Sequence, residues 1–291
     1  MDLLCTERAA DCSAYCDPML LDDPRVLKNL LKTEEFYTTN SSYFQNVQTE
    51  ITPEMRKIVA EWMLEVCEEE RCQDEVFPLA MNIMDRYLSL VNIKKTQLQM
   101  LGTVCLLLAT KLRQPNPLMS MLLSSYTDYS APVEDIPGWE LMVACRLKWD
   151  LAAITPVDFV GHILHRLPLD GELRAMVTRH AHTFISLAAR ESKFCMFTPS
   201  IIAGASVASA LNGIRWSSRG GWPLSRLMDM LSRLLFVEKE YLCTCLGQLE
   251  EMLSDSLTQA AQALQQQQQM EDESQPEFKP QTPTDVNKVH F

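Results

Sequence analysis

The sequence predicts an all-α protein built from two tandem helical units. Apolar residues recur at helical spacing from about residue 23 to Ser254. No short stretch alternates apolar and polar residues strongly enough to compete as a strand. Ile51-Thr52-Pro53 returns as Ile154-Thr155-Pro156, and Met100-Leu101-Gly102 is echoed by Ile202-Ala203-Gly204, both about a hundred residues on.

Taken in order, residues 1–22 mix Cys, Asp, Ala and Pro without periodicity and read as a flexible arm. Residues 23–153 form the first helical unit with a preceding helix. Thr52 suits an N-cap and Pro53 the first helical position. Met55, Ile58, Val59, Trp62, Met63, Val66 and Cys67 then fall on one broad apolar stripe. A second helix is expected from Val76 to Leu90. The third, Lys95 to Arg113, is apolar nearly all round, as befits a central helix surrounded by others. Shorter helices are expected over Met119–Tyr126 and Trp139–Leu147. Residues 154–255 repeat the unit, with small residues (Ala203, Gly204, Ala205, Ser206) where the first copy has Gly102 and Ala109. Beyond Ser254 apolar density falls. The Gln265–Gln269 run and the acidic, proline-containing segment after it bury too little to offset ordering entropy, so 256–291 is expected to be disordered.

Composition excludes several classes. Lys and Arg number 26 against 38 Asp and Glu, a net charge of −12. Such a chain is repelled by a phosphate backbone, which argues against direct nucleic-acid binding and favours basic peptide partners. Nine glycines in 291 residues argue against glycine-rich phosphate loops. Ten scattered cysteines, with no CxxC pair, suit a reduced intracellular protein. The N-terminus lacks a signal peptide, and the uncharged stretch Thr96 to Thr110 is too short to span a bilayer; no membrane partner is expected.

No catalytic motif, metal-spaced Cys/His group or cofactor loop occurs, so no catalytic residue, metal or cofactor is expected. Cys243 and Cys245 point in different directions on a helix. His162 and His165 share a helix face but lack an evident acidic partner, and read as surface imidazoles.

Four runs carry a resemblance: Met55 through Glu69 (MRKIVAEWMLEVCEE), Glu75 through Asn82 (EVFPLAMN), Asp85-Arg86-Tyr87-Leu88, and Leu147 through Ala153 (LKWDLAA). With Tyr43-Phe44-Gln45 and Thr282-Pro283-Thr284-Asp285-Val286, the chain resembles the cyclins, and among them the D-type cyclins. The resemblance implies two five-helix cyclin boxes. It also implies a non-catalytic regulatory subunit that binds a cyclin-dependent kinase of the four or six type, promotes phosphorylation of retinoblastoma-family proteins at the G1/S transition, and resides in nucleus and cytoplasm.

Residue by residue, the resemblance assigns Lys111 and Glu140 to kinase binding, and Arg56 and Asp85 to a structural ion pair between the first two box helices. Met55, Ile58, Val59, Trp62, Glu65, Leu98 and Gln99 match a patch that docks Arg-x-Leu segments of substrates and inhibitors. Leu3, Cys5 and Glu7 match the motif that meets the pocket of retinoblastoma-family proteins. Thr282, before Pro283, matches a phosphorylation site tied to export and ubiquitin-mediated turnover. A helical apolar stripe is ordinarily core, but this one is wider than one core face needs, and Glu65 with Glu68, Glu69 and Glu70 gives it an acidic rim suited to a basic peptide.

The chain departs from the pattern at Gln114, where an acid is usual, at Pro115 through Met121, and in the basic loop Arg215–Trp222; these bear on the choice of kinase. Two other readings stay open: a DNA-binding cyclin-box transcription factor, which needs a basic face, and an adaptor that activates no kinase.

Overall fold

The computed structural model describes residues 17–39 and 41–273, with side chains described throughout except at 256, 257 and 259–273. Among the described residues there is no strand. Two short helices, α1 (Pro18–Asp22) and α2 (Pro24–Thr33), and the single turn α3 (Tyr43–Asn46) lead into two sets of five. The first set is α4 (Pro53–Glu69), α5 (Val76–Leu88), α6 (Leu98–Arg113), α7 (Ser120–Ser125) and α8 (Ile136–Arg146). The second is α9 (Val157–His165), α10 (Gly171–Arg190), α11 (Pro199–Gly213), α12 (Leu224–Leu235) and α13 (Lys239–Glu273).

The arm expected over residues 1–22 is helical from Pro18, because the Asp17 carboxylate caps α1 by accepting from the Met19 amide at 2.9 Å. The tail expected to be disordered from residue 256 keeps helical backbone to Glu273. Alanine, leucine and glutamine dominate that stretch and are good helix formers. The chain divides into two compact units, one ending at Leu249 and the next starting at Glu250; the described part of the second is the distal portion of α13.

Thr52 caps α4 as its sequence suggests, its Oγ1 accepting from the Met55 amide at 3.3 Å. In the second copy the roles are reversed: Asp158 Oδ2 accepts from the Thr155 amide at 2.7 Å and the Thr155 hydroxyl at 3.0 Å. Each copy is organised around one helix. α6 packs against α4, α5, α7 and α8, and every residue from Met100 to Thr110 is buried. α11 packs against α9, α10 and α12 and is buried from Pro199 to Leu211 except at the half-buried Ile202. Glycine permits the approach in both. A Cβ at Gly102 would lie 2.8 Å from Val59 Cγ1, and one at Gly204 would lie 2.9 Å from Leu235 Cδ1.

Polar contacts far apart in sequence tie the two sets together. Arg56 is buried and donates from Nε to Asp85 Oδ1 and from Nη2 to Asp85 Oδ2, each at 2.7 Å. Its remaining donors reach the α10 end, Nη1 to the Arg190 carbonyl at 2.9 Å and Nη2 to the Ala189 carbonyl at 3.0 Å. Burial works against the Arg56 charge, but the facing carboxylate outweighs it and holds the guanidinium pKa above its ordinary value. Glu34, also buried, caps α11 from a distance: its carboxylate accepts from the Ser200 amide and hydroxyl, both at 2.7 Å. Burial nevertheless pushes the Glu34 carboxyl above its ordinary value.

The two histidines expected at the surface behave otherwise. His162 is buried and its Nδ1 has no hydrogen-bond partner; burial lowers its pKa. His165 Nε2 lies 2.6 Å from Asp22 Oδ1. The acidic partner sits on α1, more than a hundred residues upstream, where helical spacing cannot reveal it.

Candidate functional site

Two surfaces of the first helical set carry the residues singled out in the sequence. The first is at the C-terminal end of α6. After the long uncharged stretch of α6, Lys111 emerges at the bundle edge with 45% of its side chain exposed, where a cation complements the helix dipole. Glu140 is on α8, which packs along α6. Lys111 Nζ donates to Glu140 Oε1 at 2.5 Å. An exposed pair of this kind contributes only about 0–1 kcal/mol to folding, so fold stability does not account for it. Leu112, Leu141 and Met142, the chain neighbours of the pair, are exposed, and Trp149 just past α8 is 67% exposed. Large apolar side chains left in water around a fixed ion pair make a surface suited to a protein partner.

The second surface is a groove of about 620 Å³ lined by Met55, Ile58, Val59 and Trp62 of α4, Lys95 and Thr96 of the preceding turn, and Leu98 and Gln99 of α6. Six of the seven patch residues named from the sequence thus meet in one depression. Glu65 does not line it; it is exposed further along α4. Lys95 and Thr96 were missed, although their place just before Leu98-Gln99 is the signal that could have found them.

The apolar stripe of α4 divides between core and groove. Met63, Val66 and Cys67 are buried, whereas Ile58 is 65% exposed. Trp62 belongs to both: it packs against the core and its Nε1 donates to the Tyr126 carbonyl at 3.1 Å. Gln99 is also held, its Oε1 accepting from the Ser130 hydroxyl at 3.0 Å. Tyr126 in turn donates to Glu70 Oε1 at 2.6 Å, and that hydrogen bond pushes its phenol up to about 12. The groove walls are therefore fixed before any ligand arrives.

Leu3, Cys5, Glu7 and Thr282 lie outside the described residues. Among the described residues, no cluster of three or more His, Cys, Asp or Glu is placed to hold a metal ion, and no helix is long and apolar enough to cross a membrane.

The five-helix repeat has its counterpart in a known family. Residues 25–152 match the cyclin N-terminal domain, and residues 154–281 match the cyclin C-terminal domain. The chain is 46% identical over 295 residues to G1/S-specific cyclin-D3 of Bos taurus and 45% identical to that of Homo sapiens, covering 100% of both sequences in each case. It is 45% identical to G1/S-specific cyclin-D2 of Gallus gallus, again over the full length of both. Among solved structures, a viral cyclin from herpesvirus saimiri superposes with a TM-score of 0.70 at 24% identity, covering 79% of this chain and 97% of that one. The CAK complex of Chaetomium thermophilum bound to ATP-gamma-S gives a TM-score of 0.50 at 15% identity, covering 81% and 75%; both likenesses concern the fold alone. The chain belongs to the cyclin family, and within it to the D-type cyclins.

Proposed function

We propose that this chain is the non-catalytic regulatory subunit of a cyclin-dependent kinase of the four or six type, that it acts at the G1/S transition, and that the complex phosphorylates retinoblastoma-family proteins. The observation that carries this reading is the Lys111–Glu140 pair set among exposed apolar side chains at the α6–α8 edge. The names of the full-length relatives reported above, G1/S-specific cyclins of the D type, support the stage of action.

In this reading the groove between α4 and the start of α6 takes the leucine of Arg-x-Leu segments, from substrates and inhibitors alike. Met55, Ile58, Val59, Trp62 and Leu98 supply the apolar wall. The arginine finds the acidic residues towards the end of α4, Glu65 with Glu68, Glu69 and Glu70. Leu3, Cys5 and Glu7 offer a short motif to the retinoblastoma-family pocket. Phosphorylation of Thr282 adds nearly two negative charges to an acidic segment and serves export and ubiquitin-mediated turnover, with the protein distributed between nucleus and cytoplasm.

Purifying the tagged chain from dividing cells and identifying the co-purifying kinase by mass spectrometry tests the proposal. Recovery of a cyclin-dependent kinase of the four or six type is the expected result; recovery of the chain with no kinase would favour an adaptor.

A further inference from the structure

The turn that ends α4 brings two cysteines together. The Cys72 amide donates to the Cys67 carbonyl at 2.8 Å, and the residue between turn and exit, Arg71, has a left-handed φ of 51°. This helix ending returns the side chain after the left-handed residue onto the last helical turn. Here both of those side chains are cysteines, neighbours across a backbone hydrogen bond and on the wall of one cavity. Cys67 is buried and Cys72 half-buried. Both line a cavity of about 420 Å³ open to solvent, together with Glu68, Arg71, Asp74, Arg179 and His182.

We propose that Cys72 and Cys67 form an oxidisable dithiol, in which a hydroperoxide attacks Cys72 and Cys67 resolves the product as an intramolecular disulfide. In the first step the Cys72 thiolate attacks one peroxide oxygen; an S–O bond forms, the O–O bond breaks, and hydroxide leaves to be protonated to water. This gives a sulfenic acid at Cys72. In the second, the Cys67 sulfur attacks the sulfenic sulfur; the S–S bond forms, the S–O bond breaks, and the hydroxyl leaves as water with the Cys67 proton. Two thiols are oxidised by two electrons and one hydrogen peroxide is reduced to two waters.

The order of events follows from the asymmetry of the pair. Cys72 is the thiol a solute can reach, whereas Cys67 is packed in the core. The neighbouring Cys67 thiol holds the Cys72 thiol below its ordinary pKa, and Gln114 lowers it further, against the opposing effect of burial. The same contact, with burial, pushes the Cys67 thiol far up. Reactivity and access therefore coincide on Cys72.

Trypsin cuts after Arg71, between the two cysteines, so the disulfide would join the peptides 58–71 and 72–86. The full-length chain is treated with hydrogen peroxide, remaining thiols are alkylated, and the digest is read by mass spectrometry without reduction. The linked pair of peptides is expected. It should be lost in Cys67→Ser and in Cys72→Ser. Cys67→Ser should accumulate a dimedone-reactive sulfenic acid at residue 72, while Cys72→Ser should leave Cys67 reduced. Gln114→Glu, which removes the donor and adds a negative charge, should slow formation of the linked peptide while leaving the far-ultraviolet dichroism unchanged. The exposed Cys145 and Cys243 serve as internal controls. Absence of the linked peptide when Cys145 and Cys243 are already oxidised would overturn the proposal, as would labelling of Cys67 ahead of Cys72.

Discussion

Arg56 and Asp85 face each other through two parallel hydrogen bonds of 2.7 Å, with the side chains only 1% and 5% exposed. Asp85 also accepts from the Tyr43 hydroxyl at 2.8 Å, and burial together with the Asp85 charge holds that phenol well above its ordinary pKa. The guanidinium meanwhile satisfies the carbonyls of Ala189 and Arg190 at the end of α10. One buried ion pair thus joins the segment before the first helical set, the first two helices of that set, and the second set. Asp85→Ala leaves a buried guanidinium without its counter-charge and is expected to cost about 3–5 kcal/mol, measured by urea unfolding. A loss below about 1 kcal/mol, the size of an exposed pair, would show that the pair does not organise the core.

The two central-helix glycines give a graded prediction. Gly102→Ala gains roughly 1 kcal/mol of helix propensity but drives a methyl group to 2.8 Å from Val59 Cγ1, a branched group with little freedom to move. Gly204→Ala meets the ends of Leu235 and Leu242, at 2.9 and 3.0 Å, which can rotate aside. Gly102→Ala should therefore destabilise more, by about 0–2 kcal/mol net once the propensity gain is set against the usual cost of overpacking. It should also disturb the groove that Val59 lines. Equal melting temperatures for the two variants would contradict this.

His162 sets a pH dependence. Burial lowers its folded-state pKa below the ordinary 6.5, so the unfolded chain takes up a proton first as pH falls. Stability is fully present above about pH 6.5 and is lost progressively below it, down to the folded-state pKa. Comparing wild type with His162→Leu by urea unfolding between neutral and mildly acid pH isolates this group. The wild type should lose more stability on acidification than the variant; parallel curves would contradict the buried neutral imidazole.

The groove can be tested without breaking the core. Ile58 is 65% exposed, so Ile58→Glu should change stability by no more than about 0.5 kcal/mol. It should weaken phosphorylation of a substrate carrying an Arg-x-Leu segment and spare a short peptide lacking one. Trp62→Ala is the less informative variant, because Trp62 packs on the core and bonds Tyr126, and its truncation costs stability as well. Equal rates on both substrates for Ile58→Glu would remove the docking role.

What the sequence made legible was periodic and local. The Thr52 cap, the broad α4 stripe, the all-round apolar α6 and the paired glycines each leave their mark within a turn or two of chain. The position of Lys111 was legible because a charge that ends a long uncharged helix must emerge at an edge. The cap that Glu34 places on Ser200 and the carbonyls that Arg56 reaches lie more than a hundred residues away, so spacing holds no trace of them. His162 was misread for the same reason: α1 and α2, which pack on α9, cover a face that looks free in the helix alone. The Cys67–Cys72 contact escaped because it depends on Arg71 adopting a left-handed conformation that the sequence does not announce.

The central claim is that the Lys111–Glu140 edge binds and activates a cyclin-dependent kinase. Lys111→Glu places two carboxylates where an ion pair stood, on an exposed site whose contribution to folding is small. Pull-down of the kinase and phosphorylation of a retinoblastoma fragment, measured beside helicity and melting temperature, is the direct test. The account predicts that complex and activity are lost while helicity and melting stay as in the wild type. Wild-type binding and activity in the Lys111→Glu chain would contradict it.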